Sequence, residues 1–329
     1  MAKLLDENGL AYFWGKVKAA IPTKTSQLTN DSSYITADSP ALTGTPTAPT
    51  AAVGTDSTQI ATTAFVQTAI GEGGSVESIT NAEIDSVFPF KTVSWADGTD
   101  EEIVAMVEAA DAGEINLADY WAVGDVRSVN LSAMSATGVG ESHEAQTVEF
   151  VLMDTTCKGF TITATGKKPS FIAGMKNCLT TGGYMNSNAG SKNGWSGCAR
   201  RTWCNNVFYN AVPSTLRSIF KQFTWQQGIG GGATSGLLTT QDYFGLAPEK
   251  AIFGSRKYSQ TDEAALYSQW NWYATLINRI KIRYGSTAIW WGCSPYPDDS
   301  DFFCAVDGSG GAFCRDAFAP SGLAPFGCI

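Results

Sequence analysis

The apolar positions fall into separate blocks, each with its own period. Leu10, Phe13, Trp14, Val17 and Ile21 recur at helical spacing, with Asn8 before them as a cap and Pro22 after them as a stop, so a short amphipathic helix is expected over 10–21. Either its own domain covers that stripe, or it is an anchor or oligomer contact. From Pro22 to Gly74 the pattern dissolves into Thr, Ala, Ser and Pro with scattered apolar residues. Such a segment cannot bury enough apolar area by itself to offset the ordering of its backbone, so it is a linker or it borrows surface from copies of itself. Glycines 71, 73 and 74 mark a hinge. Thr99 and Glu102 then form a capping-box signature ahead of Ile103, Met106, Val107 and Ala110, with Gly113 as the stop.

Beyond 115 the periods mix. Residues 148–153 and 160–165 read as strands, the second because Phe160, Ile162 and Ala164 alternate with threonines. Pro213 opens a helix with Leu216, Ile219, Phe220 and Phe223 on one face. A longer helix is expected over 261–283, where Leu266, Trp270, Tyr273, Ile277 and Ile280 are spaced 4-3-4-3. Packing against a sheet explains that spacing better than a coiled coil, because the heptad run is short and rich in aromatics. The predicted class is α+β, divided into 1–74 (helix and stalk), 75–115 (small helical spacer) and 116–329.

Composition sharpens that division. Residues 1–115 carry 5 lysines and no arginine against 16 acids, while 116–329 carry 17 basic and 15 acidic residues. No part is strongly basic, so a nucleic-acid partner held through its phosphates is not expected. No run reaches the roughly 18 apolar residues of a bilayer span, and membrane insertion is not expected either. The acids and glycine near the start stand where a signal peptide needs its apolar core, so the chain is read as made in the cytoplasm without export.

The residues that carry chemistry are few. His143, the one histidine, lies between Glu141 and Glu144 and reads as a solvated surface residue. No Gly-x-Ser-x-Gly elbow is present, and the glycines around 228–232 lack the Lys-Ser/Thr ending of a phosphate loop. The eight cysteines all fall after 156, no Cys-x-x-Cys occurs, and no pairing is assigned. Asp298, Asp299 and Asp301 are near enough in sequence to raise calcium, but the twelve-residue calcium loop is absent. No catalytic residue, cofactor or metal is assigned. The C-terminal stretch is the informative one: Lys, Glu, Gln, Met and Trp supply 53 of the first 291 residues and none of 292–321.

Two resemblances give these patterns a meaning. The run from Leu42 to Ala51, Leu-Thr-Gly-Thr-Pro-Thr-Ala-Pro-Thr-Ala, followed by Thr58-Gln-Ile-Ala-Thr-Thr-Ala-Phe-Val66, resembles bacteriophage tail-fibre proteins. That resemblance implies an extended stalk running into a short helix, usually homotrimeric. The opening, Leu4 to Lys16, is similar to tail-associated structural proteins of phages of Gram-positive gut bacteria. Further on, Trp121-x-Val-Gly-Asp125, His143-x-Ala-Gln-Thr-Val-x-Phe-Val-x-Met-Asp154, Trp290-Trp-x-x-Ser-Pro295 and Leu323-Ala-Pro-Phe-Gly-Cys-Ile329 together resemble the C-type-lectin-fold variable proteins of diversity-generating retroelements.

In that family adenines of Asn codons are randomised, and AAC reaches fifteen residue types but never Lys, Glu, Gln, Met or Trp. The resemblance therefore implies a variable region at 292–321 held by the tryptophans and a buried tail, with Cys293 and Cys314 as unpaired by-products. It implies ligand-binding residues Tyr296, Asp298, Asp299, Asp301, Phe302, Ala305, Asp307, Ser309, Phe313, Arg315, Asp316 and Phe318. The implied protein is a virion tail adhesin, a homotrimer on tail or baseplate proteins, that grips a bacterial surface protein or glycan. Two other classes stay open: an enzyme, either a glycan depolymerase or an oxidase of the formylglycine-generating type, and a purely structural decoration protein. The catalytic cysteines of the enzyme branch find no match here, so that activity is not carried over.

Overall fold

The computed structural model describes residues 7–24, 47–52, 61–64, 66–67, 91–136, 138–140 and 142–329. The chain forms two compact units, Met1–Thr80 and Asn81–Ile329.

In the first unit, α1 spans Glu7–Ala20, so Asn8 lies inside the helix instead of capping it. Ile21 donates its N–H to Val17 O at 3.1 Å, and the helix ends before Pro22. None of its residues is buried, and Leu10, Phe13 and Trp14 are each more than half exposed. Thr63, Ala64, Val66 and Gln67 are helical, as the stalk motif implied. Residues 47–52 have no regular secondary structure, and residues 25–46, 53–60 and the 71–74 hinge lie outside the described residues.

The second unit begins its described part with α2, Asp100–Asp111. Both halves of the capping box form: Thr99 N–H donates to Glu102 Oε2 at 2.9 Å and Glu102 N–H to Thr99 Oγ1 at 3.2 Å. At the far end Gly113, at φ +80°, takes the left-handed conformation that lets its N–H reach Ala110 O and that of Glu114 reach Ala109 O. Ile103, Met106 and Val107 are buried as expected. They do not belong to a separate spacer, however. Trp95 packs on Trp121 with ring centroids 5.3 Å apart, and Arg127 pairs with Asp100 while donating to Trp95 O and Gly98 O. The boundary expected at 115 is thus corrected. The change of charge there is a change of surface, whereas the core runs through it.

Four antiparallel strands form the main sheet in the order β1 (Val126–Leu131), β2 (Gln146–Asp154), β4 (Ile172–Met175) and β12 (Phe326–Cys328). The tail is therefore an integral strand, with Gly327 opposite Ala173. A second sheet joins β3 (Thr161–Ile162), β5 (Phe223–Gly228) and β6 (Leu237–Asp242). A hairpin follows, β7 (Lys281–Arg283) with β8 (Ser286–Ala288), and a third sheet has β10 (Phe302–Val306) between β9 (Trp290–Pro295) and β11 (Ala312–Asp316). Short helices lie between them: α3 (Ala199–Trp203), α4 (Ser214–Arg217), α5 (Glu249–Phe253) and α6 (Thr261–Leu266). The class is mixed α and β, as expected. No helix among the described residues is long and apolar enough to cross a membrane.

Three expected elements are shorter than read. The strand over 160–165 stops at Ile162, where the chain turns and Gly166 donates back to Ile162 O. The helix opened by Pro213 ends at Arg217, and Phe223 starts a strand. The long helix over 261–283 breaks after Leu266 into two 3₁₀ turns, Asn271–Ala274 and Leu276–Arg279, and then β7. Its aromatic and β-branched residues are weak helix formers. Tertiary partners take over the backbone instead: Trp270 N–H donates to Ala251 O at 2.8 Å and Asn271 N–H to Asp154 Oδ1 at 3.2 Å.

Candidate functional site

The frame around the expected variable region is built as the apolar pattern suggests. Every residue of β9 is buried. Trp290 donates its indole N–H to Arg279 O and Trp291 donates to Gly183 O, each at 2.8 Å. Residues 321–329 are buried without exception. Beneath the β9 end lies a polar network. Ser294 donates its hydroxyl to Glu263, which also accepts Gly228 N–H at 2.8 Å, and Ser294 Oγ accepts Glu249 N–H at 2.9 Å. Glu249 in turn accepts the N–H groups of Lys257, Tyr258 and Ser259. That grip places Tyr258 edge-on to Tyr296, with ring centroids 5.7 Å apart.

The candidate ligand-binding residues divide by strand register. Phe302 stands opposite Asp316, and Ala317 N–H donates to Asp301 O at 2.8 Å, so the β9–β10 loop and the end of β11 meet at one end of the hairpin. Tyr296, Asp298, Asp299, Asp301, Phe302, Asp316 and Phe318 gather there. Asp299 accepts Asp301 N–H at 2.9 Å, and Asp301 edges a depression of about 410 Å³ together with Lys192, Asn193 and the glycines at 230 and 231. Partial burial and the neighbouring Asp298 raise the Tyr296 phenol above its ordinary pKa. Asp316 Oδ1 accepts Phe318 N–H at 2.7 Å, and the Phe318 ring stacks on Tyr184 at 4.7 Å.

Asp307 and Ser309 sit at the opposite end. There Asp307 Oδ1 accepts Ser309 N–H, Ser309 O–H and Gly311 N–H at 2.6–2.9 Å, which hold the carboxyl below its usual pKa and close the turn. Phe313 is exposed on β11 and Arg315 half-buried. Ala305 is corrected: it is 2% exposed, in the core. The reason is that β10 is the central strand, covered on both faces, so an alternation of exposure along it does not arise. Tyr258, Tyr184 and Lys192 share this surface from outside 292–321, and nothing in their sequence context marks them.

The remaining chemistry-bearing groups are placed as follows. His143 is not solvated but buried against Trp203, 5.4 Å between rings, and burial with the nearby Arg200 pushes it down to about 4. All eight cysteines are free thiols; burial pushes Cys157 and Cys178 up to about 12 and Cys198 up to about 11. Among the described residues no group of three or more His, Cys, Asp or Glu is arranged to hold a metal, the acids at 298–301 included. Burial lifts Glu263 to about 7, but its partners are the backbone and Ser294 of the network under β9.

Residues 175–326 match a domain family of unknown function, DUF6273, which covers just under half of the chain and contains the whole of this surface. No solved structure matches the chain.

Proposed function

We propose that the chain is a phage tail receptor-binding protein whose C-terminal unit, a C-type-lectin-like domain, grips a bacterial surface ligand with the loops at 296–301 and 316–318. One observation supports this reading above the rest. The tryptophans and tail that frame the region are buried, while Tyr296, Asp298 and Phe318 lie outside the core, on loops anchored by the buried Pro297 and Ala317. Rigid scaffold and replaceable loop residues are the division of labour that recognition surfaces use. The uncovered apolar side chains of α1 suit assembly of the N-terminal unit into a trimer on the virion, and three copies multiply a modest single-site affinity through effective concentration. The action is binding without turnover. The test is attachment of the purified chain to host cells after Tyr296, Phe302, Phe313 and Phe318 are changed together to Ala. Loss of attachment with an intact fold is the expected result, and unchanged attachment would sink the assigned face.

A further inference from the structure

A second concavity, of about 250 Å³, opens beside Phe318. Gly140, Thr181, Gly182, Gly183 and Tyr184 line it with Arg283, Tyr284 and Pro320. Three features of it are unexplained by folding alone.

The first is charge. Arg283 and Arg200 approach this segment at Gly182 and Gly183, Lys281 lies buried two residues from Arg283 on β7, and none of the three forms an ion pair with a described residue, in a chain whose net charge is −9. Arg200 is 1% exposed, donates Nε–H to Tyr184 O at 2.8 Å and Nη2–H to Val139 O, and lies over the Trp203 ring at 4.7 Å, with no carboxylate among these partners. Lys281 donates to Met175 O and Lys176 O from a buried site between the rings of Trp290 and Tyr273. Burial lowers Arg200 to about 10 and Lys281 to about 8, so both stay mainly charged at neutral pH. Arg283 alone faces the concavity, and its guanidinium makes no hydrogen bond within the described chain. Uncompensated cations under a low-dielectric floor focus a positive potential where the cleft opens.

The second is the floor. A Cβ on Gly182 would collide with the Arg283 guanidinium, and one on Gly183 with that of Arg200. At Gly183 a Cβ would also meet Val139 O at 2.8 Å, so glycine is required there, while at Gly182 the lack of a side chain is what lets the Arg283 guanidinium rest on the backbone instead of swinging away.

The third is Tyr284. It forms the β7–β8 turn with Gly285, at φ +50° and +73°, between the paired Arg283 and Ser286. This left-handed pair is the place for Asn-Gly, and a bulky side chain there is strained. Tyr284 is 76% exposed, so packing does not offset that strain.

We propose that this cleft takes one carboxylate-bearing sugar unit of a surface glycan, with Arg283 pairing with the carboxylate and the rings of Tyr284 and Tyr184 covering the C–H faces of the sugar. A guanidinium fork matches a planar carboxylate in two parallel hydrogen bonds. The space is below the roughly 300 Å³ at which drug-sized ligands begin, and so fits a single ring. An acidic peptide side chain brings no ring for the two tyrosines to cover. The proposal rests on the receptor-binding reading only for the source of the sugar.

The test uses the full chain, titrated with glucuronate, glucose, acetate and inorganic phosphate and followed by calorimetry or NMR. Glucuronate is expected to bind in the millimolar range, about −4 kcal/mol, and more weakly at high salt. Arg283→Gln and Tyr284→Asn are each expected to weaken it about ten-fold or more, and Arg283→Lys to keep part of it. Asn suits the left-handed turn, so Tyr284→Asn keeps the fold, which thermal melting checks. Glucose binding as well as glucuronate, acetate or phosphate binding as well as glucuronate, or variants that bind like the parent would each overturn the proposal. Absent glucuronate binding with host attachment retained overturns the cleft and leaves the receptor-binding reading standing. Glucuronate binding retained while attachment ignores the loop residues does the reverse.

Discussion

The indole N–H of Trp225 donates to Oδ2 of Asp242 at 2.7 Å, deep in the C-terminal unit. The same oxygen accepts Trp195 Nε1–H at 3.1 Å and Thr240 O–H at 2.7 Å, while Oδ1 takes Arg201 Nε–H at 2.6 Å and Asn205 Nδ2–H at 2.9 Å. One buried carboxylate therefore ties β5, β6 and α3 into a unit. Asp242→Asn turns one acceptor into a donor that faces other donors. We expect a loss of about 3 kcal/mol, read from urea midpoints, since a broken buried pair leaves uncompensated polar groups. A loss below about 1 kcal/mol, the worth of an exposed pair, would contradict this role.

Two buried groups have opposite pH dependence. Glu263, lifted to about 7, is protonated in the fold while its unfolded counterpart ionises near 4.5, so its contribution is complete in acid and is lost as pH rises to 7. His143, pushed down to about 4 from 6.5, is neutral in the fold, so its contribution is complete above 6.5 and is lost as pH falls to 4. Between 4.5 and 6.5 the two offset each other. Glu263→Gln removes one side, and we expect that variant to lose roughly 3 kcal/mol relative to the parent from pH 6.5 to 4.5. Parallel stability curves for the two proteins would refute the assignment.

The corrected domain boundary is tested by truncation. A chain beginning at residue 91 retains Trp95 and α2 and is expected to fold, with a single cooperative transition. One beginning at residue 116 uncovers Trp121 and leaves Arg127 without Asp100, and is expected to aggregate or melt at a much lower temperature. Equal melting temperatures would restore the boundary at 115.

Within 292–321 the positions are not equivalent. Ala305→Tyr forces a ring into the closed centre of the third sheet and is expected to cost at least about 1–3 kcal/mol. Ser309→Ala, at the far end of the hairpin, is expected to leave host attachment unchanged, whereas Phe318→Ala weakens it. Denaturant titration checks the first and cell-binding assays the other two. Attachment that depends on Ser309 as much as on Phe318 would mean that both ends of the hairpin touch the ligand.

The local signals were legible where local physics decides. The capping box at Thr99 and Glu102 and the glycine stop at 113 need only their neighbours to form, so the sequence predicts them correctly. β2 and the apolar C-terminal frame were legible because continuous apolar runs leave few alternatives to burial. The tertiary structure decided the rest. It broke the 4-3-4-3 run after Leu266, because Asp154 and Ala251 offered the backbone better partners than the next helical turn. It buried His143 and Ala305, since exposure depends on which strand lies alongside, and a periodic pattern does not record that. It also brought Tyr184 to Phe318 and Arg283 to Gly182 from more than a hundred residues away in sequence. Sequence spacing fixes which side of a segment is apolar, and only the packing of distant segments determines what each side meets.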